Sequence, residues 1–532
     1  MADPTPITLY YQQLTQAVQA MYGNLINGTP YPIQAGAQGD FAYYFSNPGQ
    51  TPPLFNQWTD NFITPNASAS TSNPGCIQLG SSGSFEAAYL QLVTQITYKL
   101  SQTDQQNLQN ALNAAVNSGN ALVQQYQSVI GPITAAQIAA ATAAMPGVSF
   151  TGTQGNINYV LNFILGSVWS GSNPPLSWTT MLNAQNLASY LPNMPAAGSQ
   201  VLPAVTLYLN AVAAATPLND ELNLGIWTVN QIKQNLQSNR LSYPFAPAAP
   251  TQPGPAGMQT FDPATQANQY APNYNIPKSP VQIVNDLSSS NAVSVSIEVT
   301  QSGSSEYSLS INGSAAFKFG GPFLTYSLSG STSYDLATVQ GAGSAISITL
   351  TYKGFSNVPV QPQAWSGTQW GVNSQYTAGW YYPQLVQEAY ANFSNSNPPS
   401  GFIFTTPPPF NLAAYPNGNF NTLTNVLICN YPTVTVNYSA GNYSSFSQVI
   451  SAQSSGSVKL FGFIPLGSAS MSTYSAQRQA GSSNSSFALN FAAPSTAGVP
   501  TYQQTAYVIG GLVSSVAAPA SVLKSLVRTI GV

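Results

Sequence analysis

Carboxylates and two cysteines are the side chains of this 532-residue sequence that could carry acid–base, covalent or metal chemistry, because histidine is absent. The sequence has 13 Asp and Glu residues and 10 Lys and Arg residues. Without histidine, the Ser-His-Asp and Cys-His arrangements of hydrolases cannot form. No Gly-rich phosphate loop precedes a Lys-Ser or Lys-Thr pair. A pair of carboxylates, as in glycoside hydrolysis, is the one catalytic route that the composition leaves open.

Several carboxylates could supply such a pair. Asp220 and Glu221 are adjacent and follow Pro217, where acidic residues suit a helix N-terminus, so we expect them to cap a helix. A pair across a sheet could form among the acidic residues of the second half, Glu298, Glu306, Asp335 and Glu388. The composition nevertheless predicts a protein that is not an enzyme, with no catalytic, cofactor-binding or metal-binding residues and no cofactor.

The cysteines, Cys76 and Cys429, could form one disulfide or none, and neither has a metal-type spacing. A second motif is an aromatic cluster made of Trp365, Trp370, Trp380, Tyr381 and Tyr382. Exposed aromatic faces can stack on sugar rings, which would make the cluster a glycan site. Alternatively, the rings anchor a core or an interface and have hydrogen-bonded polar tips.

Charge is scarce throughout the chain. Only 4% of residues are charged, whereas a soluble globular domain carries about 25%. The basic residues are scattered from Lys99 to Arg528, so we predict no binding of nucleic acid, which requires several cations together. Hydrophobic residues make up 43% of the chain, which is typical of a folded protein.

The first half has helical periodicity, and residues 1–242 are predicted to form a mostly helical domain. Ser101 and Asp104 resemble a capping box in front of Leu108, Leu112 and Val116, which recur every four residues. Further helices are predicted at Leu9–Met21, Tyr89–Ile96, Tyr159–Val168, Met181–Leu191, Val201–Ala214 and Leu222–Leu236.

The second half changes to strand periodicity. Residues 243–280 are rich in proline and are predicted to be a linker or a wrapped arm. In 281–500, alternating apolar and polar residues predict an antiparallel β-sandwich region, with an aromatic insert at 360–432. Residues 501–532 are predicted to form a C-terminal amphipathic helix. The predicted fold class is therefore α+β and multidomain.

Targeting features are not recognisable. The N-terminus has no basic region followed by an apolar stretch, and no apolar run reaches the length of a membrane-spanning helix. If the protein works outside a cell, at a cell surface or in a virion, as the resemblance below implies, it leaves without a recognisable signal peptide, by lysis, by a dedicated secretion route or in a virion.

Low charge also has consequences for association and for acid tolerance. Surfaces without charge lack the repulsion that keeps molecules apart, and few groups titrate in acid. In composition the chain resembles the outer-coat proteins of acidophilic archaea and their viruses: surface-layer subunits, capsid and turret proteins, and filament subunits. The resemblance implies a structural protein that self-assembles with its own copies or with other coat subunits.

Two alternatives remain open at this point. The Ser- and Thr-rich stretches at 302–334 and 453–491 resemble the membrane-inserting hairpins of pore-forming toxins, which would imply membrane contact. A glycan-binding adhesin would instead use Trp365, Trp370 and Trp380.

Overall fold

The computed structural model describes residues 6–22, 28–34, 40–42, 59, 62–71, 75–165, 196–238, 257–262, 267–301, 306–313, 317–320, 323–328, 333–336, 345–370, 374–439, 455–461, 464–466, 474–480, 486–492 and 504–516. The helices are α1 (Pro6–Tyr22), α2 (Phe85–Thr94), α3 (Gln102–Val129), α4 (Ala135–Ala144), α5 (Gly152–Leu165), α6 (Leu202–Ser238), α7 (Pro280–Leu287) and α8 (Pro383–Phe393), with a short 3-10 helix at Ala196–Gln200.

The strands of the first part are β1 (Tyr31–Pro32), β2 (Asp40–Ala42), β3 (Pro65–Ala69), β4 (Ile77–Ser84), β5 (Ile96–Lys99), β6 (Gly257–Asp262), β7 (Ala267–Pro272), β8 (Tyr274–Asn275), β9 (Ala292–Gln301), β10 (Glu306–Ile311), β11 (Phe317–Gly320), β12 (Leu324–Leu328) and β13 (Ser333–Asp335). The remaining strands are β14 (Ala345–Lys353), β15 (Phe355–Pro359), β16 (Gln361–Pro362), β17 (Ser366–Trp370), β18 (Ser374–Ala378), β19 (Gly401–Phe404), β20 (Asn421–Cys429), β21 (Thr433–Tyr438), β22 (Ser455–Leu460), β23 (Ile464–Pro465), β24 (Tyr474–Ala480), β25 (Phe487–Ala492) and β26 (Thr505–Ser515).

Hydroxyl side chains cap the N-termini of several helices. Ser101 accepts a hydrogen bond from the backbone N–H of Asp104 at 3.0 Å, and α3 begins directly after it, as the sequence predicts. Thr134 and Ser279 are the N-cap residues of α4 and α7, and each forms a capping box. These caps bind backbone N–H groups that have no partner within the helix and so fix where each helix begins. The helix expected at Met181–Leu191 lies outside the described residues.

Helix α6 joins two predicted helices into one. The sequence predicts helices at Val201–Ala214 and Leu222–Leu236, whereas α6 runs through Pro217 between them. Pro217 is exposed, so its ring and the missing hydrogen bond disturb no packing. Asp220 and Glu221 therefore lie inside a helix, and the prediction that they cap a helix N-terminus is wrong.

The larger sheet contains eleven of the described strands, in the order β11-β10-β9-β14-β21-β25-β24-β22-β12-β13, with β23 beside β22. Neighbouring strands are antiparallel, and Leu350 of β14 lies opposite Val295 of β9 and Val434 of β21. These apolar residues are buried, whereas Ser294 and Ser296 of β9 are exposed. The mixed α+β class, with helices in the first half and antiparallel strands in the second, is therefore confirmed.

The smaller sheet contains seven of the described strands and brings together both halves of the chain. Its order is β1-β26-β20-β3-β4, with β15 beside β20 and β2 beside β26. Strands β1 to β4 thus come from the segment predicted to be mostly helical. Of these strands, β1, β3 and β4 contain Pro, Gly or Ser, and such residues are typical of loops in a sequence.

Strand β26 corrects the prediction of a C-terminal helix. Thr505–Ser515 forms a strand paired with β20, β1 and β2, and its first eight residues are buried. The four-residue spacing of Val508, Leu512 and Val516 resembles a helix face. A strand buried on both faces is apolar throughout, however, and has no alternation that would reveal it. Residues 517–532 lie outside the described residues.

The chain forms two compact units. One, here called the β unit, comprises 1–95, 230–387 and 406–532, and the other, the helical unit, comprises 96–229 and 388–405. The predicted division into 1–242, 243–280, 281–500 and 501–532 differs from this one. It follows the order of the chain, whereas each observed unit is built from separated segments. Within the described part of the proline-rich tract, β6 pairs with β7 in the β unit.

Each unit has its own apolar core. The core of the β unit combines residues of α1 and of both sheets, such as Tyr10, Ile297, Tyr352, Leu427 and Tyr507. The core of the helical unit is built from α3, α4, α5, α6 and the loops beside them. None of the described helices is both long enough and apolar enough to cross a bilayer.

Candidate functional site

The most buried member of the predicted aromatic cluster is Trp380 in the β unit. Its side chain is 0% exposed, and its indole Nε1 donates a hydrogen bond of 2.9 Å to the backbone oxygen of Asn273. Its ring lies 5.6 Å from that of Tyr89 and 6.0 Å from that of Phe85, measured between centroids. Trp380 therefore packs inside the unit and does not present a face to a sugar.

The rest of the cluster is tied to Tyr89 of α2. The Tyr89 hydroxyl donates to the backbone oxygen of Tyr382 at 3.0 Å and accepts from its backbone N–H at 3.1 Å. Burial raises the pKa of Tyr89, so its hydroxyl keeps its proton. The Tyr381 ring lies 5.4 Å from that of Tyr89. The Tyr89 hydroxyl thus holds the backbone of Tyr382, the residue next to Tyr381.

Trp365 and Trp370 lie at the edge of this arrangement. Trp365 is half-buried, and its ring centroid is 5.6 Å from that of Tyr382. Trp370 is the last residue of β17, and its side chain lies outside the described part of the structure. The structure therefore brings Trp365, Trp380, Tyr381 and Tyr382 together.

Cys76 and Cys429 are both free thiols buried in the core of the β unit. The sequence leaves open whether the two cysteines form a disulfide, and in the structure they do not. Burial raises the pKa of Cys76 to about 12 and the pKa of Cys429 well above its ordinary value. The thiolate is the reactive form of cysteine, so both side chains are inert at neutral pH.

The predicted pair of carboxylates across a sheet is not present in the described strand registers. Glu298, Glu306 and Asp335 lie on β9, β10 and β13, and each faces Ser, Thr or Gly residues on the neighbouring strands. Glu388 does not belong to a sheet at all, because it lies on α8. It is part of the helical unit.

Within the helical unit, Glu388 and Glu221 belong to one group of polar side chains. Tyr98 on β5 donates a hydrogen bond of 2.6 Å from its hydroxyl to Glu221 Oε1. The backbone N–H of Phe402 on β19 donates to Glu388 Oε1 at 3.2 Å. We call Tyr98, Glu221 and Glu388 the carboxylate cluster.

Burial and mutual repulsion set the acidity of the cluster. The pKa of Glu388 is raised to about 7, mainly by burial and further by the nearby charge of Glu221, against the lowering effect of the Phe402 N–H. The pKa of Tyr98 is raised by burial and by its hydrogen bond to Glu221. Glu388 therefore keeps its proton to a higher pH than an exposed glutamate does.

Two glycines allow the close packing of the cluster. A Cβ atom at Gly225 of α6 would lie 2.2 Å from the Tyr98 ring. A Cβ atom at Gly401 would lie 1.8 Å from Glu388 Oε1. Both positions lack a side chain where a cluster residue of another element approaches the backbone.

A third carboxylate, Asp104, forms hydrogen bonds at the N-terminus of α3. Its Oδ2 accepts hydrogen bonds from the hydroxyls of Ser101 at 2.7 Å and Ser400 at 2.6 Å. The backbone N–H of Ser101 donates to the Ser400 hydroxyl at 2.7 Å. Asp104 thus joins the first turn of α3 to the residue that precedes β19.

Two cavities among the described residues lie beside side chains other than those of the carboxylate cluster. A cavity of about 200 Å³ in the helical unit is lined by Lys99, Gln105, Asn397 and Gly401 among others, but not by the cluster residues. A cavity of about 410 Å³ in the β unit has an uncharged lining that includes Gln12. Among the described residues, no three His, Cys, Asp or Glu side chains form a group that could hold a metal ion.

The sequence matches no protein-family model, and neither the curated proteins nor the solved structures give a match. Sequence reasoning missed Tyr98 and missed the grouping of Glu221 with Glu388. Glu221 and Glu388 are singled out separately in the sequence, but no motif links them, because they come from helices far apart in the chain. Only the folded arrangement of β5, β19, α6 and α8 brings them together.

Proposed function

We propose that this protein is a non-enzymatic structural subunit that self-assembles through uncharged surfaces into a coat, lattice or filament outside the cell or in a virion. The observation that carries the proposal is the scarcity of charged residues on the outward-facing parts of both units. On the larger sheet, Ser294 of β9 and Thr351 of β14 face outward and share a hydrogen bond of 3.2 Å. On the helical unit, no charged residue occurs between Asp104 and Asp220.

The interior also uses neutral hydrogen bonds where other proteins use ion pairs. The Tyr474 hydroxyl contacts the backbone oxygens of Pro432 at 2.9 Å and Leu466 at 2.8 Å. The Tyr438 hydroxyl donates to the Leu336 backbone oxygen at 2.7 Å. Buried polar groups with such partners avoid the cost of removing charges from water. A core of this kind changes little with pH, which supports an acid-tolerant particle.

The arrangement of the β unit is compatible with a β-sandwich, because the larger and the smaller sheet contribute to one apolar core. A sandwich presents its outer faces to neighbours, and here the central strands of the larger sheet present mainly Ser and Thr on that face, with Glu298 and Lys353 as the charged exceptions. Tyrosine, amide and hydroxyl groups form interfaces with hydrogen bonds and without paired charges. This chemistry suits extended contacts between identical subunits.

Electron microscopy and sedimentation of the purified full-length protein test the proposal. We expect rings, sheets or filaments, or a concentration-dependent rise in mass, between about pH 3 and pH 8. Negatively stained fields and sedimentation profiles should agree at each pH. A protein that stays monomeric over this range, at concentrations of about 100 μM, would contradict self-assembly.

A further inference from the structure

The first half of helix α3 is an uncovered helical face. From Gln102 to Ser118 no residue of α3 is buried, whereas Gly119, Leu122 and Tyr126 farther along are buried. The apolar spacing of the sequence continues through both halves. Leu112 and Val116, which the sequence predicts on the apolar face of a helix, are 43% and 55% exposed.

Exposed apolar side chains concentrate in the same unit. Of the seven large hydrophobic residues that are exposed in the described part of the chain, six belong to the helical unit and one, Val281, belongs to the β unit. The six are Leu112, Val116, Leu207, Ile226, Tyr390 and Phe393. Single exposed apolar residues are normal on a monomer, but Leu112 and Val116 are four residues apart on one helix and so are neighbours on its surface.

The polar residues around Leu112 and Val116 are amides. Gln109 and Asn113 lie three residues before Leu112 and Val116, and Gln109 Nε2 donates to Asn113 Oδ1 at 3.0 Å. An amide side chain has two donor hydrogens and an acceptor oxygen, so this pair retains capacity for both kinds of hydrogen bond. A surface of this kind complements a second surface of the same kind.

The absence of charge permits contact between identical copies. In a two-fold contact the same patch of both copies meets, so a patch with a net charge repels its own copy. The first half of α3 has none after Asp104, so two copies can approach without repulsion. A partner with a charged surface would find no opposite charge here.

We propose that the Leu112 and Val116 face of α3 is the contact through which a second copy of this chain packs, helix against helix. This inference rests on the proposed self-assembly and names one of its surfaces. Leu112 and Val116 form the apolar centre of the contact, and the Gln and Asn residues form its polar rim. The contact buries apolar area that the monomer leaves in water.

Opposite charges placed on two versions of the protein test this contact. The variants are L112K/V116K and L112E/V116E of the full-length chain, measured alone and as an equal mixture by sedimentation velocity. Each variant alone should associate at least about tenfold more weakly than the unaltered protein, because like charges meet across the contact. The mixture should recover association, because opposite charges meet.

The matched control is Val281→Lys, which adds one charge at an exposed apolar position of the β unit and should leave association unchanged. Circular dichroism verifies that all variants are folded. Unchanged association of both double variants would overturn the inference and leave self-assembly intact. If both double variants lose association and the mixture does not restore it, the inference is also overturned. The Leu112 and Val116 face would then contact another segment or another protein. A monomeric unaltered protein would end both proposals.

Discussion

The hydroxyl of Tyr98 on strand β5 lies 2.6 Å from Glu221 Oε1 on helix α6 and donates a hydrogen bond to it. Glu388 of α8 contributes a second, partly buried carboxyl group nearby, and burial, together with the charge of Glu221, raises its pKa. The chain has only 13 acidic residues, and two of them lie in this cluster. The cluster therefore makes the stability of the helical unit depend on pH.

We expect the helical unit to be more stable below pH 7 than above it. Burial raises the pKa of Glu388 in the folded state to about 7 from an ordinary value of 4.5, so the folded state binds the proton more tightly. The stabilisation is complete below the unfolded pKa and is lost as the pH rises through about 7. Allowing for partial solvent exposure, the loss should be about 1–3 kcal/mol. Urea unfolding at about pH 5 and pH 8 measures it.

Glu388→Gln should remove most of this pH dependence, because an amide does not titrate. Glu298→Gln is the matched control, since Glu298 is exposed on β9. The E298Q variant should keep the pH dependence of the unaltered protein. If the free energy of unfolding changes between the two pH values by the same amount in E388Q as in the unaltered protein, Glu388 does not control the pH dependence.

Tyr98→Phe should destabilise the helical unit by about 1–3 kcal/mol, because Glu221 loses a hydrogen-bond donor in partly buried surroundings. The Tyr390→Phe variant makes the same chemical change at a tyrosine that is 41% exposed, and it should cost less than about 0.5 kcal/mol. Thermal unfolding of both variants gives the comparison. Equal melting temperatures for the two would contradict a stabilising Tyr98–Glu221 contact.

Trp380→Phe should destabilise the β unit by about 2–4 kcal/mol. The substitution removes the hydrogen bond to the Asn273 backbone oxygen and leaves a void beside Tyr89 and Phe85. Trp365→Phe, at a half-buried ring, should cost less. The order of the two unfolding midpoints in urea is the measurement, and the reverse order would contradict the packing role of Trp380.

Alternation along strands and capping residues made much of the fold predictable from the sequence. Val293 to Val299 alternate with polar residues because one face of β9 is buried, and Ser101 marks the start of α3 because its hydroxyl caps that helix. Strand β26 could not be recognised, since burial of both faces removes the alternation. The pairing of Glu221 with Glu388 could not be recognised either, because it depends on how distant helices pack.

Both thiols should be unreactive in the folded protein. Cys76 and Cys429 are buried and have raised pKa values, so neither forms an accessible thiolate near neutral pH. A thiol reagent such as DTNB should label no cysteine under native conditions at about pH 8 and both cysteines in denaturant. The absence of labelling in denaturant without a reductant would reveal a disulfide and contradict the free thiols.

Association should be nearly independent of salt if uncharged faces make the contacts. Screening weakens attractions between charges, with a Debye length of about 10 Å at 0.1 M and about 3 Å at 1 M, but it leaves contacts between amides and apolar groups almost unchanged. The association constant should therefore change by less than about threefold between 0.05 M and 1 M sodium chloride. Sedimentation of the unaltered protein measures this, and the equal mixture of L112K/V116K and L112E/V116E provides a salt-sensitive comparison on the same face. If the unaltered protein loses association with salt as steeply as that mixture, charged residues outside α3 hold the subunits together, and the neutral-surface explanation fails.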